Sequence, residues 1–434
     1  MARTRALVTI ALVATLALVA SACGSDKKNV AKPKSSTTQA AKNDRGNLDG
    51  QLVLGALLPQ SGDLSAIIKS LITPIQMAVT EINAAGGVNG KDVLLKQADD
   101  GTSVDVATSS LDTLLTSDKV DAILGAAGST TTLGIIDKIK TNGVVECSGS
   151  NTAAELSVDG GAAGGYFLRT APPDSLQGPA LAQLILNDNK SKIAILTRND
   201  SYGTGFGSSL ESTLKDGGAQ VVVNAAYDPK AADFKADVAK AAGKGADAVV
   251  VIGFNDDGGK VVKEMIAQNL GPKNVQIYTA DGMQGSSFYK GVDTAHPAVI
   301  EGIKGTVPAA APSGVTSPFT AAFAKTGVDT IFSSYYYDCT ILVALAAQVA
   351  GSDDPAKIKD KVVEVSSGGT KCQTWKDCSD KLKAGTDIDY DGASGPVDLT
   401  SFHEPNAGVY DVWAYDAKGA PVNVPNTPQI KIQK

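Results

Sequence analysis

The residues of this sequence best suited to bind a small anion are hydroxyl side chains that follow two short apolar runs. Ser129 stands within GAAGSTTT, directly after the apolar run AIL. Ser150 and Thr152 stand within SGSNT, directly after VVEC. In parallel α/β sheets, ligands bind at the C-terminal ends of strands, beside the N-termini of the helices that follow. Each turn alone is explained by helix capping, but two of them on successive strands predict a shared carboxylate site.

A carboxylate further along the chain is suited to the opposite charge. Asp281 follows the apolar run QIYT and stands in the sequence ADG. An aspartate at this place either pairs with a cation or initiates a turn, and the residues alone leave both readings open. If it pairs with a cation, hydroxyls in one part of the chain and a carboxylate in another would hold groups of opposite charge.

Motifs typical of enzymes are missing from the sequence. It contains no Gly-x-Ser-x-Gly, no His-Glu-x-x-His and no phosphate-binding loop that ends in Gly-Lys-Ser/Thr. The only histidines, His296 and His403, lie close to prolines in loop-like sequence. The run GTGFGS at 203–208 is similar to a dinucleotide fingerprint, but serine stands where the third glycine belongs. We therefore expect a binding protein that needs no cofactor and is not an enzyme.

The cysteines predict disulfides rather than a metal site. Cys372 and Cys378 flank only QTWKD, a spacing that favours a local disulfide in an oxidising compartment. Cys147 and Cys339 remain as candidates for a second pair. No cysteine has a histidine near it in the sequence, so zinc-like ligand spacing is missing.

The predicted site residues need sheets to position them, and the patterning supplies two. Residues 52–147 alternate short apolar runs with helical stretches, and the alternation resumes at 193–279 after a Pro-Pro break. Strand–helix alternation with short links predicts parallel sheets covered by helices on both faces. Two such units in a chain of 434 residues predict a bilobal α/β protein. Residues 408–415 (GVYDVWAY) alternate apolar and polar side chains in the manner of an edge strand.

Composition narrows the class of partner. About 43% of the residues are hydrophobic, which is enough for a sizeable core, and 20% are charged. The formal net charge is −7. Binding to nucleic acid requires clustered lysine and arginine, so this balance argues against a nucleic-acid partner.

The N-terminal region predicts export and a lipid anchor. Residues 1–22 begin with two arginines, continue with an apolar stretch and end in small residues, which is typical of a secretory signal. The apolar stretch is shorter than the ~20 residues that span a bilayer. The sequence ASAC is similar to a bacterial lipobox, which would make Cys23 the lipidated first residue. Residues 23–50 would be a polar, flexible tether, holding the protein at the extracytoplasmic face of the cell membrane.

Several phrases in the chain match a known family. They occur in the family's order at 55–62 (GALLPQSG), 81–90 (EINAAGGVNG), 169–172 (RTAP), 200–203 (DSYG), 226–229 (AYDP) and 392–396 (GASGP). Over about residues 51–415, the chain resembles the type I periplasmic binding proteins, specifically the branched-chain amino acid (Leu/Ile/Val) binding proteins of ABC importers.

The resemblance implies a fold and a binding mode. It implies two Rossmann-like lobes joined by three crossings, with the N-terminal lobe at 51–168 and 306–400 and the C-terminal lobe at 169–305 and 401–434. One lobe would hold a ligand carboxylate, and the other would hold its ammonium group. The residues that match the family's binding positions are Ser129, Ser150 and Thr152 in the first lobe and Tyr202, Phe254 and Asp281 in the second.

The resemblance also implies a partner. The protein would act as a monomer that delivers an amino acid, or a related small carboxylate, to an ABC permease in the membrane. Two alternatives stay open: the same fold binding an amide, a urea or an aromatic acid, or a subunit that reports the ligand to a membrane kinase.

Overall fold

The computed structural model describes residues 48–158 and 160–433. The first sheet has five parallel strands in the order β2-β1-β3-β4-β5. Strands β3 to β5 are buried throughout, as expected for strands covered on both faces. The strands are β1 (Val53–Leu58), β2 (Leu94–Asp99), β3 (Ala122–Gly125), β4 (Val145–Ser148) and β5 (Phe167–Arg169), and the helices between them are α1 (Ile68–Ala84), α2 (Val104–Thr116) and α3 (Ser129–Asn142).

The chain then builds a second sheet, whose core strands are also parallel. Its central strand, AVVVI, is β-branched and fully buried. The strands are β6 (Lys192–Arg198), β7 (Gln220–Tyr227), β8 (Ala248–Ile252), β9 (Gln276–Thr279) and β10 (Lys304–Pro308), and the helices are α4 (Asp174–Asn187), α5 (Ser201–Asp216), α6 (Lys235–Ala241), α7 (Asn255–Ala267) and α8 (Tyr289–Val292).

After β10 the chain returns to the first sheet. The helix α10 packs on α1 and β4, and a small three-stranded sheet follows it. The elements are α9 (Pro318–Phe323), α10 (Ser333–Ala350), α11 (Pro355–Lys359), β11 (Thr370–Cys372), α12 (Trp375–Lys383), β12 (Ile388–Gly392) and β13 (Gly395–Pro396).

The last strands extend the second sheet. They are β14 (Ala407–Tyr415), β15 (Pro421–Asn423) and β16 (Ile430–Gln433). Strand β14 pairs antiparallel with β10 on one side and with β15 and β16 on the other. The prediction of an edge strand at 408–415 is therefore wrong, because the C-terminal residues cover the outer edge of β14.

The chain passes between the two sheets three times, after β5, after β10 and before β14. The boundary predicted between residues 305 and 306 falls inside β10, so the second sheet extends to Pro308. The boundary predicted at 168 falls inside β5. Each displacement has the same cause: a strand pairs up to its last residue before the chain leaves the sheet.

Two disulfides are present. Cys147–Cys339 joins β4 to α10, and Cys372–Cys378 joins the end of β11 to the first half of α12. Within residues 48–158 and 160–433, no helix has both the length and the apolar character required to cross a membrane. Cys23 and the predicted signal and tether at 1–47 lie outside the described residues.

Candidate functional site

One cavity brings together all the residues that the sequence singled out for ligand binding. It lies between the two sheets. Three of the predicted residues reach it from the loops of the first sheet and three from the loops of the second. They are Ser129, Ser150, Thr152, Tyr202, Phe254 and Asp281.

The turn after β3 presents the N-terminus of α3 to the cavity. Gly125 has a φ of 133°, and a Cβ there would lie 1.9 Å from the carbonyl oxygen of Leu57. Only glycine allows this turn. The turn places Ala127, Gly128 and Ser129 on the cavity wall. Because the N-terminus of a helix carries a partial positive charge, this wall favours an anionic group.

Ser129 is placed to donate a hydrogen bond into the cavity. Its hydroxyl oxygen accepts hydrogen bonds from the backbone N–H groups of Thr152 and Ala153, each at 3.2 Å. Both of these bonds use the oxygen, so the single hydroxyl proton remains available. A carboxylate at the end of α3 would accept it.

Ser150 has a different role in this structure. Its hydroxyl donates to the carbonyl oxygen of Ala127 at 2.9 Å and lies 2.9 Å from the hydroxyl of Tyr336. The one proton of Ser150 is thus used inside the protein. Ser150 fixes the turn that carries Ser129, and a direct bond from Ser150 to a ligand remains a prediction.

Two buried carboxyl groups accept hydrogen bonds from the backbone of the same turn. Glu146 accepts from the backbone N–H of Ala126 at 3.0 Å, and Asp100 accepts from that of Ala127 at 2.9 Å. Burial raises the pKa of Glu146 to about 8 and that of Asp100 to about 6. Such groups hold the backbone of the turn rigid, and at neutral pH Glu146 does so without a negative charge beneath the anion-favouring wall.

Replacing Glu146 with glutamine is expected to change how stability depends on pH. Between its usual pKa of 4.5 and the folded value of about 8, the folded state holds a proton that the unfolded state releases. The contribution of Glu146 to the free energy of unfolding is therefore lost as pH rises across this range. Glutamine keeps the accepting oxygen and never ionises. In urea unfolding, the stability of the variant relative to the parent should increase by on the order of 4 kcal/mol between pH 5 and pH 9. An equal difference at both pH values would contradict this account.

The second half of the cavity is acidic. Asp281 is 4% exposed and accepts a hydrogen bond from the hydroxyl of Tyr202 at 3.4 Å. Burial raises its pKa to about 6. Asp281 and Tyr202 both line the cavity that Ser129 also lines. This wall suits a positively charged group, whose presence would favour the ionised form of Asp281.

A second carboxyl group lies beside Asp281, and sequence reasoning missed it. Asp174 is the first residue of α4 and is fully buried. Burial raises its pKa well above the usual range, the charge of Asp281 raises it further, and the hydroxyl of Thr152 lowers it. Among the described residues, neither carboxylate oxygen of Asp174 has a well-formed hydrogen bond. The only hint in the sequence is its position directly after Pro172-Pro173, at the start of a helix.

Apart from Asp63 and Asn255, the rest of the cavity wall is apolar. The rings of Tyr202 and Phe254 stack with centroids 5.5 Å apart and planes 16° apart. Four apolar side chains complete the wall: Leu64 and Ile67, which follow β1, and Ile331 and Phe332, which directly precede α10. The cavity therefore offers a polar end, with groups for both signs of charge, and an apolar end that accepts a hydrocarbon side chain. Among the described residues, no cluster of three or more His, Cys, Asp or Glu could hold a metal ion.

The sequence is similar to those of known binding proteins. The substrate-binding protein BasB of a chemotactic signal transduction system in Halobacterium salinarum is 28% identical over 365 residues, which are 82% of this chain and 85% of that protein. The Leu/Ile/Val-binding protein of Escherichia coli K12 is 27% identical over 314 residues, which are 70% of this chain and 80% of that protein.

Solved structures agree on the fold. The branched-chain amino acid transporter substrate-binding protein LivJ from Streptococcus pneumoniae, in complex with isoleucine, matches with a TM-score of 0.71 at 24% identity, over 88% of this chain and 99% of that one. A solute-binding protein of an ABC transporter from R. palustris, in complex with 4-hydroxybenzoate, matches with a TM-score of 0.69 at 16% identity, over 88% and 98%. The sequence itself matches the periplasmic binding protein family over residues 51–419. The chain belongs to the periplasmic binding protein family.

Proposed function

We propose that this protein binds an amino acid with an apolar side chain between its two lobes and passes it to an ABC permease. Family membership makes the chain a solute receptor rather than an enzyme. The observation that carries the amino acid is the buried carboxyl group of Asp281 in the same cavity as the hydroxyl donor Ser129. An α-amino acid supplies an ammonium group for the first and a carboxylate for the second.

Charge balance favours this ligand over a simple aromatic acid. A buried carboxylate without a counter-charge is costly, and burial raises the pKa of both Asp281 and Asp174. An ammonium group beside Asp281 would remove that cost. A benzoate-like ligand would leave the acidic wall without a cation. The Leu/Ile/Val-binding relatives and the isoleucine complex support the amino acid, and the 4-hydroxybenzoate complex is the source of the alternative.

The role downstream of binding has two candidates. Import is the role that the transporter relatives support. The chemotactic relative from Halobacterium salinarum favours a second role, in which the loaded protein reports the ligand to a membrane signalling partner. Both use the same cleft. Deletion of the gene for its ABC permease should abolish uptake of the bound amino acid in the first case and leave it unchanged in the second.

A ligand panel at several pH values tests the amino acid. L-leucine, L-isoleucine, L-valine and 4-hydroxybenzoate would be compared by thermal shift, then by titration calorimetry. An amino acid at 100 times its Kd should stabilise the fold by about 2.7 kcal/mol. As pH increases to about 6, the affinity for the amino acid should rise by up to about tenfold per pH unit, and above pH 6 it should level off. The reason is that Asp281 must lose its proton to pair with an ammonium. Binding of 4-hydroxybenzoate alone would reject the proposal.

We also propose that the protein is lipid-anchored through Cys23 and works as a monomer outside the cytoplasmic membrane. The support is the signal-like composition of residues 1–22 and the small residues before the cysteine. A two-chain lipid gives stable anchoring where one chain is marginal. Cys23→Ala should abolish incorporation of labelled fatty acid into the protein expressed in its own host. Equal labelling of variant and parent would reject the anchor.

A further inference from the structure

One arginine at the mouth of the cleft contacts both halves of the molecule. Arg198 ends β6, in the second sheet, and its side chain is 6% exposed. Its Nε donates to Asp200 at 2.5 Å, and one amino group donates to Asp257 at 2.6 Å; both partners belong to the same half. Its other amino group donates to Asp63 at 3.3 Å. Asp63 follows β1, so this last ion pair crosses the cleft.

A second hydrogen bond crosses the cleft beside it. The backbone N–H of Ser201, at the start of α5, donates to the hydroxyl of Thr130, near the start of α3, at 3.1 Å. The two contacts thus join loops that follow β1 and β3 in the first sheet to the end of β6 and the start of α5 in the second. Both contacts exist only when the lobes are as close as they are here.

The same arginine contacts the wall of the ligand cavity. Its guanidinium carbon lies 3.8 Å from the centroid of the Phe254 ring. Phe254 stacks on Tyr202, and both rings line the cavity. A guanidinium over an aromatic face is attractive, so the position of Phe254 depends on where Arg198 is held.

We propose that Arg198 is a positioning residue that couples ligand binding to closure of the lobes. Asp200 and Asp257 hold the guanidinium on its own half, where it fixes Phe254 against the ligand. Asp63 then binds its remaining amino group as the cleft closes, and this contact slows ligand release. The inference rests on the proposed function, because it requires a ligand that the two lobes enclose.

The exposure of the three carboxylates determines how strongly the contact between Arg198 and Asp63, called the latch below, can slow ligand release. Asp257 and Asp200 are 2% and 11% exposed, whereas Asp63 is 39% exposed. The contact with Asp63 is therefore the one that water and salt can screen. We expect its loss to raise the dissociation rate by about threefold to tenfold, the range of a partly exposed ion pair, and to leave the fold intact.

The test uses Asp63→Asn in the whole protein, with L-isoleucine as the probe. Spin labels at Thr113→Cys on α2 and Ser208→Cys on α5, both exposed, report the distance between the lobes. The variant should release isoleucine about threefold to tenfold faster, with the association rate changed less than twofold and the label distance shifted toward longer values. Added salt should accelerate release from the parent but not from the variant.

The control is Asp105→Asn, which removes an exposed carboxylate from the same mouth without touching Arg198. It should behave as the parent does. Unchanged release and distances in Asp63→Asn would overturn the latch. A loss of association rate alone, at unchanged distance, would place Asp63 on the ligand and would overturn it too.

A parent protein that binds another ligand of the panel but no amino acid would reject the proposed function, and the same release rates and label distances, measured with that ligand, would still test the contact between Arg198 and Asp63. Arg198→Lys provides the second test: it keeps the charge but loses the planar group over Phe254. It should weaken binding of isoleucine by more than Asp63→Asn does. An equal or smaller loss would remove the role of the ring contact.

Discussion

Asp281→Asn is expected to weaken binding of an amino acid by about 30- to 5,000-fold, which is about 2–5 kcal/mol. The variant keeps the size of the side chain but leaves the ligand ammonium without its counter-charge inside the cavity. The unliganded fold should not lose stability, because burial raises the pKa of Asp281 and the neutral side chain relieves that cost. Titration calorimetry with L-isoleucine measures the affinity, and urea unfolding checks the fold.

Two further variants make this result specific. Ser129→Ala removes one donor to the carboxylate and should cost about 1.5–3 kcal/mol. Asp256→Asn, on the exposed surface of α7, should bind as the parent does. If Asp281→Asn bound normally while Ser129→Ala did not, the ligand would be a carboxylate with no ammonium at that wall. Normal binding by both would mean that this cavity is not the site.

Glu404→Gln is expected to lower the free energy of unfolding by about 3–5 kcal/mol. Arg169 is completely buried where the chain first leaves the first sheet, and Glu404 stands just before β14, where the chain crosses for the third time. The carboxylate accepts from the Nε of Arg169 at 2.9 Å and from a second guanidinium nitrogen. Without it, the guanidinium keeps its charge and loses the only carboxylate among its hydrogen-bond partners in the described part of the chain.

Urea unfolding of Glu404→Gln against Asp380→Asn measures the effect. The Asp380 pair with Lys376 is an exposed helix pair, and its loss should cost less than about 0.5 kcal/mol. The double variant Arg169→Met, Glu404→Leu should recover part of the stability, since it removes the charge together with its partner. A cost for Glu404→Gln as small as that for Asp380→Asn would show that water reaches the guanidinium.

The sequence predicted where a residue stands relative to the sheets wherever that follows from local position. Ser129 and Asp281 follow buried strands, and strand ends in parallel sheets meet at one edge. Short apolar runs bounded by glycine mark those ends, so the strands could be placed to within a few residues. No local pattern specifies how two lobes face each other. The prediction that residues of the two sheets share one cavity therefore depended on the resemblance to a family.

The remainder depends on contacts that only the folded chain creates. Asp174 and Asp281 interact electrostatically although about a hundred residues separate them in the sequence. Nothing near Asp174 in the chain indicates this partner. The hydroxyl of Ser150 is used by Ala127, which depends on the exact path of one turn. The edge-strand interpretation of residues 408–415 failed because alternation reports which face is buried, whereas the number of neighbouring strands depends on where the C-terminal residues return.

The disulfide between Cys147 and Cys339 has a mechanical consequence. The two cysteines are 192 residues apart in sequence, and strands β6 to β10 lie between them. When the chain is pulled from its ends, this whole interval is bypassed by the covalent bond. About 650 Å of chain, at about 3.4 Å per residue, could therefore not be extended by the applied force until the disulfide is reduced. Under tension, the strands after Cys339 would be stripped from the second sheet first, while its parallel core bears no load.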